Sequence, residues 1–122
     1  MTTYADFYQR SISDRDAFWS EQAGLIDWKT KPSQVCDYQD PPFTRWFVGG
    51  VTNLCHNAVD RHLASRADQP ALIAVSTETD QEQVYSFAQL HLEVQRMAAS
   101  MLALGVQKGD RVLIYMPMVA QA

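Results

Sequence analysis

Few residues in this 122-residue chain could do chemistry. His56, His62 and His91 could ligate a metal or move protons, but their spacing is not the one-turn interval that sets two imidazoles on one helical face, and Cys55 beside His56 points to a different face. His62 reads either as a half-buried helix histidine with one hydrogen bond or as a polar contact to a ligand or a neighbouring layer. Asp14, Asp16, Asp60 and Glu93 offer no carboxylate pair in which one partner would raise the pKa of the other, and no serine stands with a histidine and an acid in a nucleophile motif. Gly105 to Gly109 superficially suggests a phosphate loop, yet it lacks the spacer, the Gly-Lys-Ser/Thr ending and the preceding strand, so it reads as a turn. Met97, Met101, Met116 and Met118 could line an acyl pocket, although methionines at helical and strand positions usually fill cores. The expectation is therefore that this segment holds no catalytic residue, no cofactor-binding residue and no metal ligand.

Charge and composition narrow the partners. The formal net charge is −4, and the ten basic residues are scattered without a stripe of interleaved aromatics, which argues against nucleic acid. The start, Met1 to Asp6, has neither a basic cluster nor an apolar stretch, and nothing approaches the ~20 apolar residues of a membrane span. No membrane partner is expected, and a cytoplasmic location is. Cys36 and Cys55 are the only cysteines and form no CxxC pair, so they read as free thiols.

The elements that must position these residues follow from periodicity. Tyr4, Phe7, Tyr8 and Ser11-Ile12 recur at helical spacing, and Phe18, Trp19, Gln22 and Ala23 suggest a second short helix, capped by Ser13-x-x-Asp16 and closed by Gly24. From Thr30 to Thr44 periodicity gives way to Pro32, Pro41 and Pro42, predicting an extended strap anchored by Trp28, Tyr38, Phe43, Trp46 and Phe47. After Gly49-Gly50, Thr52 or Asn53 can cap a helix carrying Leu54, Ala58, Val59 and Leu63. The runs 71–75 and 83–85 predict a hairpin with a loose turn. Ser86-x-x-Gln89 is a capping box for a helix whose stripe is Phe87, Leu90, Val94, Met97, Met101 and Leu104, ended by Gly105. A turn then leads to a strand, Val112 to Met116, followed by Pro117 and a helix-like start.

Helix, hairpin, helix and strand in this order predict an α/β fold with a parallel or mixed sheet. Residues 1–48 are expected to form an aromatic helical segment and strap, and residues 49–122 the start of a large α/β domain. A buried strand needs layers on both faces, and the ligand crevice of an open α/β sheet lies beyond its strand C-termini. Ten of the thirteen aromatic residues lie between Tyr4 and Phe47, more than the remaining residues have surface to receive. The chain is accordingly expected to be the front of a larger protein.

The stretch Trp46-Phe47-Val48-Gly49-Gly50-Val51-Thr52-Asn53, with Asp60-Arg61-His62-Leu63 after it, resembles the N-terminal region of short-chain acyl-CoA synthetases, the acetyl- and propionyl-CoA synthetase branch of the adenylate-forming superfamily. The resemblance continues through Tyr85-Ser86-Phe87-Ala88-Gln89-Leu90, Gly105-Val106 with Lys108-Gly109-Asp110-Arg111-Val112, and Tyr115-Met116-Pro117-Met118, and covers most of the chain. The short prefix from Tyr4 to Trp28 and the wording Pro42-Phe43-Thr44-Arg45-Trp46-Phe47 look more like the propionate-activating members than the acetate-activating ones.

The resemblance implies a two-step ligase. A carboxylate and Mg-ATP give an acyl-adenylate and pyrophosphate, and CoA thiol then attacks to give the thioester. The phosphate loop, acyl pocket, adenine-binding segment and lid lysine of that family would lie beyond Ala122, so ATP, Mg and CoA are expected for the full-length parent and none for this segment, which would be scaffold and inactive alone. Pro117 and Met118 would lie nearest the substrate, as packing. The expected partners are the remainder of the same polypeptide and, in the parent, the small carboxylate, ATP and CoA. Two other readings stay open: a free-standing interaction module whose aromatic strap clamps a protein, and a fragment that self-associates through the edge of its last strand.

Overall fold

The computed structural model describes residues 3–122, so Met1 and Thr2 of the amino-terminal stretch lie outside it. The chain divides into two compact units, one up to Asn57 and one from Ala58.

In the first unit, helix α1 (Tyr4–Ser13) begins at a capping box. The Asp6 N–H donates to Thr3 Oγ1 at 3.2 Å and the Thr3 N–H returns to Asp6 Oδ2 at 3.1 Å, satisfying donors that a helix start leaves open. The Thr3 hydroxyl, which donates to Asp6 Oδ2 at 2.7 Å, and then the Thr3 N–H hold the exposed Asp6 carboxyl below its ordinary range. Helix α2 (Arg15–Ala23) follows at once. Ser13 does not cap it: Asp14 holds the cap position without a side-chain bond, and Ser13 Oγ donates back to the Gln9 carbonyl at 3.0 Å. Back-bonding within the preceding helix wins because only one residue separates the two helices. Gly24 closes α2 in the right-handed region, φ −64°, and the Trp28 indole N–H donates to the Ala23 carbonyl at 2.8 Å.

The expected strap is instead paired. Strand β1 (Trp28–Thr30) pairs antiparallel with β4 (Val51–Thr52), and β2 (Gln34–Asp40) with β3 (Phe43–Val48). Of the prolines that suggested a strap, Pro41 and Pro42 occupy the β2–β3 turn, joined by a cis bond, and Pro32 lies between β1 and β2, so none removes a ladder donor. Cys36 faces Trp46 and Asp37 faces Arg45 across this ladder. Phe18, 1% exposed, is the most deeply buried side chain of the unit.

Helix α3 (Leu54–Ala58) is capped by Asn53, whose Oδ1 accepts the His56 N–H at 2.8 Å. The single helix expected to run on to Leu63 is broken. Val59 leaves helical geometry at φ −126°, a 3-10 turn spans Asp60–His62, and α4 (Leu63–Arg66) is one short turn. Val59, at the break, is buried.

The second unit is built on an antiparallel hairpin, β5 (Pro70–Ser76) with β6 (Gln81–Ser86), in the register Leu72 to Tyr85 and Val75 to Glu82. Helix α5 (Phe87–Ala103) packs on both strands. Its start is fully capped. Gln89 N–H donates to Ser86 Oγ at 3.2 Å, Ser86 N–H to Gln89 Oε1 at 2.9 Å, and the Phe87 and Ala88 N–H groups reach the Gln69 and Ala67 carbonyls at 3.1 and 3.0 Å. Its end is a Schellman motif: Gly105 sits at φ +85°, its N–H on the Leu102 carbonyl, and the Val106 N–H reaches the Met101 carbonyl.

The fold is α/β as expected, but the sheet is not yet parallel. Three two-stranded antiparallel ladders account for all strands among the described residues. Residues 112–116, expected as a strand, run without ladder partners. A β-strand exists only by pairing, so propensity alone leaves this segment unassigned.

Candidate functional site

The residues singled out for chemistry are placed apart. His56 Nε2 lies 3.4 Å from Asp27 Oδ2, and its neighbour Asn57 ties the same loop: Asn57 Oδ1 accepts the Asp27 N–H at 2.8 Å while Nδ2 donates to the Asp27 carbonyl and to Thr52 Oγ1. Thr52 Oγ1 in turn donates to the Asp27 carbonyl at 2.7 Å. This knot fixes the entry to β1 and is structural in character. Sequence reasoning missed Asn57, because nothing local marks an amide whose partners lie 30 residues away.

In the second unit, His91 Nδ1 lies 3.0 Å from Asp60 Oδ1, and the His62 ring packs on Phe87 with centroids 5.2 Å apart. The Arg66 guanidinium lies over the same Phe87 ring at 5.0 Å. His62 and Arg66 are four residues apart, so the 3-10 turn and α4 present both to one aromatic face. The Asp60-Arg61-His62-Leu63 stretch thus fastens the turn before α4 to the start of α5. Of the two readings of His62, the packed, structural one is what these contacts describe.

Among the described residues no three His, Cys, Asp or Glu side chains come together as a metal site. The first donors of α5, the ordinary place for a phosphate, are already taken by Ser86 Oγ and two carbonyls. Met97 and Met101 share an open concavity of about 750 Å3 with Leu72, Tyr85, Leu90 and Val94, whereas Met116 is half-exposed and Met118 fully so. The four methionines therefore do not line one pocket.

The first unit carries an aromatic array rather than a site. Phe7 meets Phe18 edge-on at 4.8 Å, Phe18 meets Trp19 at 5.1 Å, Trp19 meets Trp46 at 6.0 Å, and Phe47 touches Trp46 and Trp28. Such contacts contribute about 0.5–1.5 kcal/mol each beyond burial, so this array is the unit's cohesion. Tyr38 and Phe43, expected to anchor the strap, stay exposed. Beside the array, Asp37 is held by Arg45 at 2.5 Å and by the Gln39 N–H at 3.2 Å, which keeps its carboxyl below the usual range.

This is an α/β segment with helix α5 laid on an antiparallel hairpin. The family described as AMP-binding enzyme matches residues 59–122, and that described as acetyl-coenzyme A synthetase N-terminus matches residues 4–58. The chain belongs to the AMP-binding enzyme family.

Among its relatives, a propionate–CoA ligase of Salmonella typhimurium is 58% identical over 120 residues, which are 98% of this chain and 19% of that protein. One of Escherichia coli is 54% identical over the same share of each. An acetyl-coenzyme A synthetase of Streptomyces coelicolor is 40% identical over 117 residues, 96% of this chain and 18% of that one. The fold matches an acetoacetyl-CoA synthetase from Streptomyces lividans with a TM-score of 0.84 at 31% identity, covering 99% of this chain and 19% of that chain. The chain thus spans about a fifth of the length of the curated relatives it matches. No helix among the described residues is long and apolar enough to cross a membrane.

Proposed function

We propose that this chain is the amino-terminal scaffold of a propionate–CoA ligase, which joins propionate to CoA through an acyl-adenylate with release of AMP and pyrophosphate. The observation that carries the reading is the gap between 54–58% identity to two propionate–CoA ligases and 38–44% to acetyl-coenzyme A synthetases over nearly the same residues. When bound, ATP and its Mg ion supply the activated phosphorus for adenylate formation. In this reading the groups that bind them are supplied by the rest of the polypeptide. Its contribution is to hold α5 against the hairpin and to seal the aromatic array, giving rigid backing to groups supplied elsewhere in the polypeptide. Pro117 and Met118 stand nearest the substrate in this reading, as packing residues, and a cytoplasmic location accompanies it.

The test compares two proteins made from the same coding sequence. The longer polypeptide should exchange pyrophosphate into ATP in a propionate-dependent manner, with acetate the weaker acid, and the 122-residue chain should show no exchange above buffer. Preference for acetate in the long form, or exchange by the short one, would overturn the reading.

A further inference from the structure

We draw no further inference here: the strongest candidate, the open cavity of about 360 Å3 between the end of α2 and the start of β2 that Lys31 borders, has its Trp28, Ser33 and Gln34 donors spent on the Ala23, Val48 and Cys36 carbonyls, and nothing in the structure shows what covers it.

Discussion

Asp60 and His91, 31 residues apart, are joined by a 3.0 Å contact between Oδ1 and Nδ1. An ionised carboxylate only accepts, so the imidazole carries its proton on Nδ1 and donates. The pair is half-buried and links the 3-10 turn to the middle of the first half of α5. Asp60→Ala and His91→Ala should each lower stability by about 0.5–1.5 kcal/mol, and the double variant should lose less than their sum. Urea midpoints of the four proteins check this; full additivity would mean the contact contributes nothing.

Ser86 sits at the junction where β6 ends and α5 begins, so its hydroxyl closes a helix whose other early donors have carbonyl partners. Ser86→Ala should cost about 1 kcal/mol, while Ser86→Gly should cost only a few tenths beyond the wild type's own backbone. Thermal melts of both variants separate the side-chain cap from the backbone conformation of the residue. Equal losses in the two would place the effect in local strain instead.

The α5 helix, its box and its Gly105 stop were legible because each rests on partners within five residues along the chain. The β5–β6 hairpin was legible because two β-favouring runs flank a polar stretch, although its paired residues lie five to sixteen positions apart. The same rule that misassigned Ser13 also fits Thr3-x-x-Asp6, where Thr3 Oγ1 does accept the Asp6 N–H. The β2–β3 pairing was not legible, since Pro32, Pro41 and Pro42 read as a strap and nothing local shows that all three fall outside the ladder. Asn57 with Asp27, and Asp37 with Arg45, are contacts set by tertiary packing and register, which composition does not carry. As for chemistry, the motif stretch from Asp60 to Leu63 pointed to a family, yet its side chains prove to fasten elements.

Gly50 is required for space. A Cβ there would stand 2.7 Å from Trp28 Cζ3 and 2.9 Å from the Phe47 carbonyl oxygen, and the indole is itself held by its bond to the Ala23 carbonyl. Neither neighbour is a flexible side-chain tip. Gly50→Ala should therefore destabilise the first unit by about 1–3 kcal/mol through displaced packing. Tryptophan fluorescence should shift together with the unfolding midpoint; an unchanged midpoint would mean that Trp28 moves aside freely.

Asp37 supplies a pH-dependent term of known sign. The Arg45 guanidinium, then the Gln39 N–H, hold its folded-state carboxyl below the ordinary 3.8. A depressed carboxyl stabilises the fold fully above its unfolded value, and that stability is lost as pH falls through the lower folded value, because the unfolded state binds the proton first. The Arg45 side chain is 74% exposed, so solvent and salt keep the contribution small. Arg45→Met should leave the urea midpoint nearly unchanged in slope against pH above about pH 5 and flatten the acid limb below about pH 4. High salt should reduce the difference between variant and wild type. An acid limb as steep in Arg45→Met as in the wild type would assign the effect to other carboxylates.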